Sequence, residues 1–112
     1  LNWTKKNKGK IKIFNDVKKA ATNADVVFTD KIVSMNDKVN KTKKIKYFKN
    51  FQVNSKVMNC AKKDAIFLHC LPRGLEVSND IFLGKQSKVW QQALNRVYVQ
   101  KSILLYCFNK LR

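Results

Sequence analysis

Two short apolar runs, each followed by polar side chains, place the tightest limit on how this chain can fold. The first run spans 24–29 and is followed by Asp30, and the second spans 65–68 and ends in His69-Cys70-Leu71-Pro72-Arg73. Apolar runs of this length, separated by helical segments, are typical of buried strands in a parallel sheet. Ligands bind at the carboxyl ends of such strands. The sequence therefore predicts an α/β domain with a site where these two strands end.

The remaining segments predict the surroundings of that sheet. We expect a strand at 10–14, helices at 17–21, 37–51 and 54–61, and a short turn into Ile81-Phe82. Asn15 or Asp16, Asn54 and Ser78 are the expected caps. Apolar residues recur at helical spacing over 90–108, which predicts one long amphipathic helix. The expected fold class is α/β, a partial open parallel sheet (Rossmann-like) with flanking helices and a long C-terminal helix.

The charge of the chain first suggests nucleic acid or an anionic surface as a partner. The formal net charge is +17, from 24 basic and 7 acidic residues. Only Arg73, Arg96 and Arg112 are arginine, the side chain whose planar fork reads bases and phosphates, and the lysines are scattered along the chain. A solvated basic surface is therefore favoured over a nucleic-acid site, and a small basic nucleic-acid-binding module is kept as the alternative.

Membrane, secretion and metal functions have little support in the sequence. No apolar stretch approaches the roughly 18 residues that span a bilayer, and the first residues lack the features of a signal peptide. Cys60, Cys70 and Cys107 form no CxxC pair, and His69 is the single histidine, so no structural metal is expected. An odd number of cysteines without a secretion signal favours a reducing, cytoplasmic setting. A chain of 112 residues without an initiator methionine is expected to be a piece of a longer protein.

The two strand ends carry side chains that together could hold a zwitterionic, amine-bearing substrate. The carboxylate of Asp30 would bind an ammonium group, and Cys70 could pair with a nucleophilic amine or relay its proton. Each residue also has a structural interpretation: Asp30 as a cap, Cys70 as an inert buried thiol, and His69 as an oriented but non-catalytic ring. Arg73 and Arg96 could be ordinary surface charges.

Several motifs resemble one enzyme family. The segment 67–73, Phe-Leu-His-Cys-Leu-Pro-Arg, resembles the signature of ornithine carbamoyltransferases. The segment 24–30 followed by Val33-Ser34-Met35 is similar to the family's ornithine-loop strand and Ser-Met-Gly motif. Phe51-Gln52-Val53-Asn54, Glu76-Val77-Ser78 and Asn95-Arg96 also resemble family segments in register. Aspartate carbamoyltransferases have proline at the position of Cys70, and Ser34-Met35 favours ornithine over putrescine, so a putrescine-type enzyme is the second alternative.

The resemblance implies a role for each matching residue. Asp30, Ser34 and Met35 would bind the amino-acid end of L-ornithine. Cys70 and the backbone of Leu71 would lie beside the ornithine δ-amine and the carbamoyl group, and Arg96 would polarise the carbamoyl carbonyl. Cys70 and Arg96 are thus the implied catalytic residues, and Cys70, Leu71 and Arg96 the implied contacts of carbamoyl phosphate. The δ-amine would attack carbamoyl phosphate to give citrulline and phosphate, a step of arginine biosynthesis, with no metal or organic cofactor.

The resemblance also implies how the chain is organised. Residues 1–89 would form part of the ornithine-binding domain, and 90–112 a helix that packs on an absent carbamoyl-phosphate domain. The family's phosphate-binding segments are missing and would lie upstream, so the chain alone is expected to be inactive, and the full-length protein a cytoplasmic homotrimer. Ile32, Asn36 and Leu94 stand where the family has an aromatic residue, glycine and glutamate. These departures leave open a degenerate fragment without activity.

Overall fold

A computed structural model describes residues 2–33 and 41–108 of the chain. The elements, in chain order, are α1 (Asn2–Lys6), α2 (Val17–Ala21), β1 (Val26–Thr29), α3 (Lys41–Phe48), α4 (Ser55–Met58), β2 (Ile66–His69), α5 (Asn79–Phe82) and α6 (Val89–Cys107). A turn of 3-10 helix, Lys49–Phe51, follows α3. The succession of short strands and helices confirms the predicted α/β class.

The two strands pair in parallel, as the apolar runs predict. The register runs from Val26 opposite Ile66 to Thr29 opposite His69. The other edge of β2 is also paired, because the Phe67 N–H donates to the Gln86 carbonyl and the Phe67 carbonyl accepts from the Lys88 N–H, both at 2.8 Å. β2 is thus held on both edges, and His69 is its last residue rather than the first residue after it.

A single apolar cluster supports these strands. Phe67 of β2 lies at its centre and is completely buried. The other buried members come from α2, β1, α4, α5, the first residue of α6 and two connecting segments; they are Ala21, Val27, Val53, Val57, Met58, Val77, Phe82 and Val89. Because β2 is paired on both edges and α6 packs against it, the carboxyl end of that strand is held in place.

Two of the predicted caps form, and one does not. The Asp16 carboxylate accepts from the N–H groups of Lys18 and Lys19 at the start of α2. The Asn54 side chain likewise accepts from the Val57 N–H at the start of α4. Ser78 occupies the N-cap position of α5, yet its hydroxyl makes no capping hydrogen bond. Local sequence thus placed all three helix starts, and two of the three side chains act as predicted.

Three element boundaries differ from the predictions. Residues 10–14 form no strand, and Ile11 and Ile13 are 56% and 70% exposed. The predicted helix at 37–51 is a shorter helix followed by a 3-10 turn, and its positions 37–40 lie outside the described residues. α4 ends at Met58 rather than Ala61 because the chain tightens into turns there, and the Cys60 carbonyl accepts from the Asn23 N–H instead.

The long last helix forms as predicted, but most of its apolar surface is uncovered. Val89 is buried in the core, whereas six apolar residues of the following turns are 47–70% exposed; they are Trp90, Leu94, Val97, Tyr98, Leu104 and Phe108. Within the described ranges, no helix is both long and apolar enough to cross a membrane. A continuous exposed apolar face of this kind is a candidate contact surface.

Candidate functional site

The ends of β1 and β2 bring together Asp30 and Cys70, two residues that lie forty positions apart in the sequence. Thr29 and His69 are paired at the last position of the register, and the two site residues follow them directly. The Cys70 thiol donates a hydrogen bond to Asp30 Oδ1, with the two heavy atoms 3.1 Å apart. The predicted convergence of the two strand ends is therefore confirmed.

The electrostatics of this contact favour a carboxylate and a neutral thiol. The Cys70 hydrogen bond and a second one from the Lys31 N–H, at 2.7 Å, hold the pKa of Asp30 below its ordinary value. Burial, and then the hydrogen bond to Asp30, raise the pKa of the Cys70 thiol. At neutral pH the pair is therefore a charged acceptor that fixes a protonated thiol. Such a thiol is not prepared as a covalent nucleophile, and its chemistry suits hydrogen bonding to a ligand.

Arg96 reaches the same region from α6. A cavity of about 430 Å³ is lined by His69, Cys70, Leu71, Gln92, Ala93 and Arg96. The Gln92 side-chain oxygen accepts from the His69 N–H at 3.0 Å, which fixes this helix against the end of β2. Arg96 follows Gln92 by four residues and so lies on the same helix face. Within the described residues its guanidinium forms no hydrogen bond or ion pair, and it is free to meet a ligand.

Both ring nitrogens of His69 contact other groups of the protein. Only 1% of its surface is exposed, and Glu76, its partner, is 2% exposed. His69 Nε2 lies 2.9 Å from Glu76 Oε1, and Nδ1 lies 2.6 Å from the Thr29 carbonyl oxygen. The structural interpretation of this histidine is confirmed. The sequence analysis did not identify Gln92 or Glu76 as site residues. Glu76 was noted only as part of a family segment. The four-residue spacing from Gln92 to Arg96, which places both on one helix face, was the one signal that could have pointed to Gln92.

Arg73 does not line the Arg96 cavity. Its guanidinium donates to the Asn79 side-chain oxygen at 3.0 Å and stacks over the Phe82 ring, 5.1 Å from the ring centre. Both contacts attach the segment after β2 to α5. Arg73 is thus an exposed charge, as the structural interpretation has it, whose contacts also anchor the segment after β2.

A second cavity is lined by Asp30 but not by Cys70. It measures about 560 Å³, and the polar residues of its lining are Thr29, Asp30, Lys31, Lys44 and Glu76. The rest of the lining is mainly apolar and comes from α2, β1, the region of α3 and α4. The hydrogen bond between Cys70 and Asp30 thus connects a lining residue of one cavity to a lining residue of the other.

Some residues expected to bind the substrate lie outside the described part of the chain. Ser34 and Met35, the remaining ornithine contacts implied by resemblance, and the substituted position Asn36 all lie in 34–40, outside the described residues. Over residues 2–33 and 41–108, no group of three His, Cys, Asp or Glu side chains could hold a metal ion. The absence of a metal or organic cofactor stays a prediction.

We expect Asp30→Asn to make Cys70 more reactive. The substitution removes the charged acceptor that helps to raise the pKa of the thiol, so more thiolate forms at about pH 8. Alkylation by iodoacetamide, followed by mass spectrometry of the Cys70 peptide in the folded protein, should be faster in the variant. Asp25→Asn, which removes a carboxylate just before β1, should leave the rate unchanged. Equal rates in all three proteins would contradict the assigned Cys70–Asp30 contact.

The chain resembles known proteins over nearly its whole length. Residues 2–107 match the family model described as "Aspartate/ornithine carbamoyltransferase, Asp/Orn binding domain". The ornithine carbamoyltransferase of Helicobacter hepaticus is 53% identical over 100 residues, which cover 88% of this chain and 30% of that protein. The relatives give no support to the nucleic-acid-binding alternative.

Solved structures give the same result. The anabolic ornithine carbamoyltransferase of Campylobacter jejuni is 41% identical and superposes with a TM-score of 0.84, covering 97% of this chain and 37% of that one. The enzyme of Pyrococcus furiosus is 39% identical, with a TM-score of 0.78 over 90% of this chain and 33% of that one. The chain thus spans about a third of the length of the relatives that it matches. It belongs to the aspartate/ornithine carbamoyltransferase family, and its match lies in that family's Asp/Orn-binding domain.

Proposed function

We propose that this chain is the ornithine-binding part of an ornithine carbamoyltransferase. The full-length enzyme would transfer the carbamoyl group of carbamoyl phosphate to the δ-amine of L-ornithine, giving citrulline and phosphate. The relatives named above carry this activity in their names. The observation that carries the proposal is the convergence of Cys70, Leu71 and Arg96 on one cavity, with Asp30 bonded to Cys70 at its edge.

The proposed roles follow from the charges in the site. The ionised Asp30, together with Ser34 and Met35, would bind the amino-acid end of ornithine. The neutral thiol of Cys70 would orient the δ-amine, whose nitrogen attacks the carbamoyl carbon. A carbon–nitrogen bond forms, the bond from carbon to the phosphate oxygen breaks, and the amine proton is lost. Arg96 and the backbone of Leu71 would stabilise the negative charge that develops on the carbonyl oxygen.

The remaining expectations concern parts of the protein that this chain does not supply. We propose that residues 1–89 belong to the ornithine-binding domain and that residues 90–112 pack on a carbamoyl-phosphate domain. The exposed apolar face of α6 supports that packing. A cytoplasmic homotrimer is proposed for the full-length protein by family resemblance. The chain alone should not make citrulline, because the phosphate-binding residues would come from elsewhere.

A segment exchange tests the function directly. In the Campylobacter jejuni enzyme, the matched segment is replaced by this chain to give a protein that we call the host chimera. We expect the host chimera to form citrulline from ornithine and carbamoyl phosphate, because the exchanged segment keeps the fold and brings Asp30, Cys70 and Arg96 with it. The rate is measured by a colorimetric citrulline assay at saturating substrates.

Two controls make a negative result informative. The same exchange with the Helicobacter hepaticus segment shows whether the host accepts a foreign segment. The isolated chain, assayed at equal concentration, should give no citrulline. An active Helicobacter exchange beside an inactive host chimera would overturn the proposal and favour a degenerate domain.

A further inference from the structure

We propose that Glu76 is a positioning residue for the amino-acid substrate. Together with His69, it clamps both ends of the turn formed by residues 29–32, the turn that carries Asp30. The inference deepens the proposed function and rests on it, since the substrate is taken to be an amino acid bound by Asp30. Neither Glu76 nor the turn was assigned a role by the motifs of the sequence.

The clamp consists of three contacts in series. At the start of the turn, His69 Nδ1 lies 2.6 Å from the Thr29 carbonyl oxygen. At its end, the Ile32 N–H donates to Glu76 Oε2 in a longer contact of 3.4 Å. His69 Nε2 and Glu76 Oε1, 2.9 Å apart, connect the two ends. The turn is thus closed by side chains that come from β2 and from the segment that follows it.

The partners of His69 determine its role. Its two ring nitrogens face a carbonyl oxygen and a carboxylate, and both of these are acceptors. Both nitrogens are therefore engaged by these two protein groups, and neither faces Cys70. The pair consequently holds the backbone in place and does not serve as a proton relay.

The Glu76 carboxylate is buried and is held by several hydrogen bonds. Burial raises its pKa, but hydrogen bonds from the Gly74, Glu76 and Ile32 N–H groups and the charge of His69 outweigh burial and hold the pKa below its ordinary value. Gly74 also passes so close that a Cβ atom there would lie 2.6 Å from Glu76 Oε2. Only glycine leaves room for the carboxylate in this orientation. Removing one partner of such a buried pair leaves the polar group of the other without its hydrogen bond.

The consequence for the site lies between the two clamped ends. Asp30 directly follows Thr29 and precedes Ile32 by two residues, so its carboxylate is positioned by both contacts. Ser34 and Met35 follow closely in the sequence. A loosened turn would move Asp30 relative to Cys70, and misplacement of a binding group by about 1 Å can cost a factor of about 100. The amino-acid substrate should be affected far more than carbamoyl phosphate.

The test uses Glu76→Gln in the host chimera. We expect the KM for ornithine to rise by about 10- to 100-fold, while the KM for carbamoyl phosphate stays within about twofold. Gly74→Ala should shift the ornithine KM in the same direction, because its methyl group displaces the carboxylate. Asp80→Asn removes an exposed carboxylate on α5 and should change neither constant. Lower thermal stability without this KM difference would indicate a merely structural role and overturn the proposal.

Hydrogen exchange gives a readout that does not depend on activity. The Ile32 amide should be protected in the unsubstituted chimera and should exchange faster in Glu76→Gln than in Asp80→Asn. An inactive host chimera beside an active Helicobacter exchange would defeat the proposed function, and the clamp would then be judged on this exchange alone. Unchanged exchange at Ile32 in Glu76→Gln, or a loss of kcat with an unchanged ornithine KM, would overturn the inference.

Discussion

Arg96→Met in the host chimera is expected to lower kcat by about 100- to 1,000-fold, with a much smaller change in the KM for ornithine. The guanidinium lines the same cavity as Cys70 and Leu71 and, within the described residues, has no protein partner. A charge left free in this way can interact with the oxygen on which negative charge develops. It does so more strongly in the transition state than with the bound substrate, so the loss should appear in kcat.

The control for Arg96 lies on the same helix. Lys101→Met removes an exposed cation from α6 and should leave kcat within about twofold, since most surface substitutions have small effects. Arg96→Lys keeps the charge but loses the planar fork, and its kcat should fall between those of the methionine variant and the unsubstituted chimera. Equal kcat values for Arg96→Met and Lys101→Met would remove Arg96 from the catalytic machinery. Both kcat and KM come from steady-state citrulline formation.

The sheet and the meeting of its strand ends could be predicted because they follow from local patterns. Each apolar run is long enough for one strand, and parallel strands place their carboxyl ends at one edge. Asp30 and Cys70 therefore met as expected, although forty positions separate them in the sequence. The start of α2 was equally predictable, because Asp16 caps N–H groups only two and three residues away.

The parts that escaped prediction depend on contacts between distant segments. The alternation of Lys10 to Phe14 describes a strand with one apolar side, but it does not supply a neighbouring strand, and none of the described residues provides one. Gln92 contributes to the site only because its side chain meets the His69 N–H across two elements. Glu76 acquires its hydrogen bond from the Ile32 N–H only when the fold brings these two segments, forty-four positions apart, together. No local sequence pattern predicts such contacts between distant segments.

Phe67→Ala is expected to destabilise the domain by about 3–5 kcal/mol, the usual cost of removing a buried phenylalanine ring. Phe67 is completely buried at the centre of the core, and its backbone is bonded to Gln86 and Lys88 on one edge of β2. The cavity left by the ring cannot close easily, because the strand is held on both edges. The same strand ends in His69 and presents Cys70, so the loss should also reach the site.

The measurement is thermal unfolding of the host chimera, with Leu83→Ala as the matched control. Leu83 is 63% exposed, and its truncation should cost less than about 0.5 kcal/mol. Below the unfolding transition, Phe67→Ala should also accelerate alkylation of Cys70, because a loosened β2 no longer holds the thiol against Asp30. If both variants melt at the same temperature, Phe67 is not the centre of the core. If Phe67→Ala melts early but leaves Cys70 as unreactive as before, the position of the thiol is set by the segment after β2 and its Arg73 anchor rather than by the strand.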